Sequence, residues 1–269
     1  MGIIWRKNDT FLDISHYSIG TGIMLLWPLL VLFSSMAYAL DDIAILIMGA
    51  VITVLPCLML IYSLFRPTPL PIRFNRQRRE ACFLKRNGDY WIVPWESVVA
   101  AATQVSSTSQ GGKVTQGMLF IRLENPAPNA TKDNRNFTMS FGCGGESAMA
   151  QWECIRTYME VGPDAVTDNT ARFAHTKGIL ASCLDDLKDA AQRKGWFMAL
   201  LWDGFFGVFI FNTLLADLLE RWKLYPLPDL DHPDIIEWSK PLPPEQWAKP
   251  SAELQAALAE MGLEAEVKI

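Results

Sequence analysis

Two stretches decide the fold: Gly20–Leu40 (GTGIMLLWPLLVLFSSMAYAL) and Ile43–Phe65 (IAILIMGAVITVLPCLMLIYSLF), separated only by Asp41 and Asp42. Residues 14–40 contain no Asp, Glu, Lys or Arg, and neither do residues 43–65. Each stretch exceeds the roughly 20 residues that cross a ~30 Å hydrocarbon core. With so short a link the pair must be an antiparallel helical hairpin, because in lipid the backbone has to satisfy its own hydrogen bonds and a helix does so. Pro28 and Pro56 are tolerated there and can kink their helices. Met36-Ala37-Tyr38-Ala39 has the small-residue pattern of a signal-peptide cleavage site. The preceding region is long and carries Asp9 and Asp13, which argues for a retained helix.

Working outward, Arg66, Arg73, Arg76, Arg78, Arg79, Lys85 and Arg86 follow the second stretch, Arg6 and Lys7 precede the first, and the loop is acidic. The positive-inside rule then puts both ends of the hairpin in the cytoplasm. A third apolar stretch, residues 196–219 (WFMALLWDGFFGVFIFNTLLADLL), is read as a third transmembrane helix. Asp203 and Asn212 interrupt it, and a charge within a span is costly. The alternative is a helix that lies at the interface or re-enters on the same side. A crossing would put the tail on the opposite face from the middle domain.

The remaining composition agrees. The chain has 269 residues, is half hydrophobic and has a formal charge of -5. A disordered, collagen-like or disulfide-scaffold chain is excluded, as is a simple soluble globule. Residues 66–195 hold 17 basic and 13 acidic residues, net +4; residues 224–269 hold 3 and 9, net -6. Five cysteines (Cys57, Cys82, Cys143, Cys154, Cys183) form no CxxC pair and no zinc spacing, which fits free thiols in a reducing compartment.

Residues 1–19 are a cytoplasmic N-terminal segment and 20–65 the transmembrane hairpin. Residues 66–162 are a cytoplasmic α+β domain, 163–195 a helical connector and 220–269 a Pro-rich acidic tail. Within 66–162, Asn87-Gly88-Asp89 marks a hairpin turn, with Tyr90–Trp95 as the returning strand. Glu96–Gln104 is a further strand or a short helix, and residues 106–117 (SSTSQGGKVTQG) form a polar loop. Met118–Leu123 and Phe137–Phe141 are strands. Residues 146–161 form an amphipathic helix with Met149, Trp152, Ile155, Tyr158 and Met159 on one side. The tail is too proline-rich up to Pro250 for helix or sheet interior. It should run extended, packing Trp238 and Trp247 on a surface or serving as a partner-binding strap, before a short helix at Ser251–Met261.

Strands followed by one helix beneath a membrane hairpin resemble the pleckstrin-homology-like modules of bacterial membrane proteins. PIRFNRQRRE (71–80), VPWESVVA (93–100) and AQWECIRTYMEVGP (150–163) resemble a bacterial membrane-protein family of unknown function found beside type VI secretion effector genes. The resemblance implies an inner-membrane, multi-pass, non-catalytic immunity protein that neutralises a secreted membrane-active effector. The runner-up is a membrane-tethered adaptor or effector-loading factor that uses the cytoplasmic module. The fold class expected is thus an α-helical membrane protein with an inserted α+β domain.

Two sets of contact residues follow. Small and polar groups drive helix association in lipid, so Gly49, Asp203 and Asn212, with Trp27 and Trp202 as bulky contacts, are the candidates for binding the effector within the membrane. Arg73, Arg76, Arg78, Arg79, Lys85 and Arg86 are the candidates for lipid headgroups or a partner, since anionic headgroups attract each such charge by roughly 1 kcal/mol near the surface. Membrane lipids are therefore expected partners, nucleic acid is not, and self-association is compatible with the sequence. Gly142-Cys143-Gly144-Gly145 precedes a helix but lacks the GKS/GKT of a P-loop and reads as a structural turn. His16, His175 and His232 lie in different regions, and Asp185, Asp186 and Asp189 read as a solvated face. No cofactor, metal or catalytic motif is indicated.

Overall fold

The computed structural model describes residues 4–17, 19–109, 112–127, 135–144, 147–166 and 178–249. In chain order, strands β1 (Ile4–Lys7) and β2 (Phe11–Ile14) precede helices α1 (Ile19–Leu40) and α2 (Ile43–Phe65). Six strands follow: β3 (Ile72–Asn75), β4 (Glu80–Leu84), β5 (Tyr90–Pro94), β6 (Val99–Ser109), β7 (Gly112–Glu124) and β8 (Asn136–Gly144). The described helices after them are α3 (Ser147–Glu160), α4 (Ile179–Lys194), α5 (Trp196–Ile210), α6 (Thr213–Leu224) and α7 (Pro233–Trp238). The chain divides into a sheet unit (residues 1–16, 70–170 and 229–269) and a helical unit (17–69 and 171–228).

The sheet unit is a mixed α+β body. Its strands form two antiparallel sheets of order β1-β2-β3-β4-β5 and β6-β7-β8. The two sheets and α3 share one core, in which Leu12, Ile14, Ile72, Phe74, Leu119, Ile121, Phe141, Ile155 and Tyr158 are wholly buried. Phe83 stacks on Phe137, with ring centroids 3.4 Å apart, and Trp95 stacks on Trp152. The expected hairpin at Asn87-Gly88-Asp89 is the β4–β5 turn, with Gly88 at φ +91°, a conformation that favours glycine.

Three features differ from the sequence reading. Residues 4–14 are strands of the larger sheet, with β2 paired in full to β3 from Phe11↔Asn75 to Ile14↔Ile72. Four-residue strands are too short to show a period, so only tertiary pairing reveals them. Most of the polar stretch 106–117, expected as a loop, continues β6 and β7 in a ladder that reaches Ser109↔Gly112. Its Thr and Val residues suit a pleated strand, and with Val114 as its single apolar residue it shows no alternation to read. In the tail, Pro233 begins helix α7 at its first position, where the missing N–H costs nothing. The helix expected at Ser251–Met261 lies outside the described residues.

In the helical unit, α1 and α2 are each long and apolar enough to cross a membrane. Asp42 caps α2 by accepting from the Ala44 N–H at 2.8 Å, and Asp41 makes the turn at φ +49°. Few residues of the hairpin are buried; Tyr38, Val51 and Phe65 are 91%, 74% and 77% exposed. That surface would be intolerable in water and is ordinary in lipid. The third stretch is not one straight helix. α5, wound as a wide π-helix from Leu200, and α6 meet at a bend of 63°. Asn212 sits at the break in a left-handed conformation (φ +50°, ψ +49°), and its side chain accepts from the Leu215 N–H.

Candidate functional site

Arg73 lies on β3 directly beside Asp13 on β2, because the register pairs them. Its Nε and Nη2 donate to both Asp13 carboxylate oxygens at 2.7 Å. Nη2 also donates to Asp229 at 2.7 Å and Nη1 to the Ser239 hydroxyl at 2.9 Å. Arg6 joins from β1, 3.2 Å from Asp13 and 3.1 Å from Asp229. Asp13 is wholly buried and Arg73 is 4% exposed. Burial works against the Arg73 charge, but the hydrogen bond and field of Asp13, with those of Asp229, raise its pKa above the usual value. The network binds the N-terminal strands, the central strand and the tail together.

A second buried cation, Arg79, stands in the β3–β4 turn at φ +51°. It donates to Glu96 at 2.8 Å and to both oxygens of Glu160, at 3.0 and 2.9 Å, pinning the end of α3. Arg76 donates to the Val161 carbonyl at 3.0 Å and lies over the Trp247 ring. Arg78 donates to the Trp238 carbonyl at 2.9 Å, and the Lys85 ammonium lies 4.6 Å from the Trp91 centroid. Arg86 is exposed in the β4–β5 turn. The cluster expected to meet headgroups or a partner is thus largely structural. Arg73 and Arg79 are buried inside ion networks, Arg76 and Arg78 tether backbone carbonyls, and Lys85 and Arg86 remain at the surface. The sequence could not show this, since the acidic partners lie as far as 156 residues away.

The tail forms a strap, residues 229–249, on the larger sheet. Leu230, Ile235 and Trp238 cover Cys82 and Leu84 of β4. Trp238 Nε1 donates to Glu80 at 2.6 Å, the Tyr90 hydroxyl donates to Asp234 at 2.7 Å, and Gln77 Oε1 accepts from the Leu242 N–H. His232 caps α7 and packs on the Tyr90 ring. Burial pushes the Cys82 thiol up to about 12, so it is a poor nucleophile beneath the strap. Trp238→Ala, which removes the largest covering side chain, should raise the rate at which maleimide labels Cys82 at neutral pH at least tenfold. Peptide-resolved mass spectrometry of the full chain reads it, and an unchanged rate would show that the strap is not the cover.

The intramembrane candidates also have partners within the helical unit. Trp27 Nε1 donates to the Phe209 carbonyl at 3.1 Å, which satisfies a group released where α5 ends. A Cβ on Gly49 would stand 2.5 Å from Phe33 Cβ, so glycine permits the close approach of α1 and α2. Asp203 is paired with Lys194 at 2.6 Å, Asn212 caps α6, and Trp202 packs edge-to-face on Phe206 while remaining 56% exposed. The structure gathers Trp27 and Asn212 around one apolar groove with Ile179, Leu180 and Leu215, and leaves Gly49 apart on the hairpin seam. Among the described residues no three His, Cys, Asp or Glu side chains form a metal-binding group. Residues 142–144, expected as part of a turn, instead continue β8 in its ladder with β7, from Met118↔Gly142 to Gln116↔Gly144, because the pairing with the long β7 carries the strand past Phe141; Gly145 lies outside the described residues.

One surface that sequence reasoning missed is the free edge of β6. The strand runs for 11 residues, VAAATQVSSTS, with no charge and no proline, and pairs only with β7 among the described residues. Edge strands usually carry such residues to prevent pairing with another chain.

A family model described as "Family of unknown function (DUF6708)" matches residues 49–202. The chain belongs to this family. The DUF6708 match runs from within α2 through β3–β8, α3 and α4 into α5. It includes Arg73, Arg79, Glu160 and the β6 edge, whereas Asp13 and Asp229, which complete the Arg73 network, lie outside it. No curated protein and no solved structure matches the chain.

Proposed function

We propose that this DUF6708 protein is a multi-pass protein of the bacterial inner membrane that acts by binding, as an immunity protein that captures and neutralises a secreted, membrane-active type VI effector. The reading rests on the three resembling segments and on a helical hairpin suited to lipid. The geometry that carries it furthest is the uncharged β6 edge, a template on which an extended segment of the effector can add as a further strand. Main-chain hydrogen bonds would supply affinity there, and the exposed side chains of Val99, Ala101 and Thr103 would supply selectivity. Because the intramembrane candidates already have partners in the helical unit, the edge is a better capture surface than those residues. Eight antiparallel strands followed by α3 support the reading of the sheet unit as pleckstrin-homology-like.

The adaptor reading is favoured by the same edge, since loading an effector also needs a capture surface. One experiment separates the two. Ala101→Lys with Thr103→Lys places charges along β6 without touching the core. For an immunity protein the variant should reduce survival against the effector-secreting strain by tenfold or more, approaching that of the deletion. For an adaptor, survival is unchanged and effector secretion falls instead. Wild-type behaviour in both assays would remove the edge from the mechanism.

A further inference from the structure

We infer that residues 196–224 enter and leave the membrane by the same face, without crossing it, and present an aromatic surface to the lipid. The inference rests on α1 and α2 being spans and goes beyond the proposed binding role. Its strongest support is that the end of α6 lies beside the start of α4, so the chain from Ser182 to Arg221 leaves and returns to one place. Arg221 Nη2, near the end of α6, donates to the Ser182 hydroxyl, near the start of α4, at 2.9 Å. Lys223 Nζ donates to the Leu64 carbonyl at the end of α2, and Glu220 packs against Gly20 at the start of α1. The start of α1 and the end of α2 belong to one face of the bilayer, because α1 and α2 are a hairpin. The segment α4–α6 therefore ends at that face, beside where α4 begins.

The lengths agree. Trp27, which holds the Phe209 carbonyl, stands eight residues into α1, about 12 Å from its start at 1.5 Å per residue. From there α5 is bent by 63° from the line of α6. Its 15 residues span about 22 Å, of which only about 10 Å project along α6. Even directed outward, α5 would stop short of a ~30 Å core. α4 carries Asp185, Asp186, Lys188, Asp189, Arg193 and Lys194 and cannot serve as the missing crossing. Arg193 and Lys194 before α5, and Arg221 and Lys223 at the end of α6, give both ends the positive flank of a cytoplasmic segment.

An independent constraint comes from the sheet unit. Residues 4–14 and 72–94 share one sheet, and the strap 229–249 packs on it and brings Asp229 to the Arg73 ion network, so all three lie in one aqueous compartment. The chain between them must cross an even number of times. The α1–α2 hairpin accounts for two, and the stretch before the strap accounts for none. What faces lipid is then the exposed set Trp196, Phe197, Trp202, Phe205 and Phe209. The two Trp rings favour the membrane–water boundary, where an apolar body and a polar tip are both accommodated, and the Phe rings suit the apolar face beneath it.

The test uses the full chain in native membranes, with single cysteines in a cysteine-free parent whose tryptic pattern matches wild type. Ser182→Cys and Tyr225→Cys should react with a membrane-impermeant maleimide from the cytoplasmic face, Phe209→Cys from neither face, and Asp42→Cys only from the opposite face. Labelling of Tyr225→Cys from the opposite face would mean a full span and overturn the inference. So would free labelling of Phe209→Cys from either side. Loss of the Asp42→Cys pattern would instead overturn the hairpin on which the inference rests. Reporter fusions after Lys177 and Ile269 give a second reading that needs no cysteine-free parent: both should report the cytoplasm, and opposite sides would overturn the inference.

Discussion

Replacing Arg73 by alanine should unfold the sheet unit at room temperature or leave it barely folded. The substitution strands the Asp13 carboxylate, which is wholly buried, without its bidentate partner. Removing one member of a buried pair costs about 3–5 kcal/mol, against a total stability of roughly 5–15 kcal/mol for a domain. Arg73 also releases Asp229 and Ser239, so the strap loses part of its anchor in the same step. Urea denaturation of the full chain in detergent reads the midpoint, and a loss below about 1 kcal/mol would refute the central role given to the network. Arg73→Met with Asp13→Leu should recover most of the stability, because removing both charges leaves neither unpaired.

The same network gives an acid limb. Burial alone would raise the Asp229 pKa, but the Leu230 N–H and the Arg6 and Arg73 charges hold it below its ordinary value of 3.8. A depressed carboxylate stabilises the fold fully above its unfolded pKa and loses that contribution as pH falls through the folded value. The strap should therefore hold at neutral pH and loosen below about pH 3.8. Asp229→Asn should flatten that dependence in a pH series of pepsin cleavage.

Gly49→Ala should give the second large effect, in the helical unit. The added methyl would sit 2.5 Å from Phe33 Cβ and 2.6 Å from its Cγ. The Cβ is fixed to the α1 backbone, so the helices must separate; rotating the Phe33 ring away does not relieve that contact. Overpacking of this kind costs about 1–3 kcal/mol, and without a hydrophobic drive between helices in lipid the close seam is most of what holds them. A disulfide engineered across the seam should form more slowly in the variant by fivefold or more. Val51→Ala, at a lipid-exposed position, is the control and should change nothing. Equal rates in all three proteins would show that Gly49 does not set the helix spacing.

What could be read from residues alone was local. Two charge-free runs of membrane length, an acidic two-residue link and an Asn-Gly-Asp turn need no distant partner to be recognised, since length, period and turn chemistry are properties of a short window. The amphipathic helix after β8 was legible for the same reason, although Met149, placed on its buried side, is 56% exposed. The short strands at residues 4–14 were not legible, because four residues show no period and β2 is held by β3, which follows the hairpin in sequence. Tertiary structure also decided which arginines are solvated. Arg73 and Arg79 look like their neighbours in a basic run, and carboxylates brought from 17 to 156 residues away turn them inward. The third apolar stretch shows the division most sharply. Its composition allowed one straight span, whereas the structure bends it by 63° at Asn212 and sets the end of α6 beside the start of α4, contacts that no short window of sequence reveals.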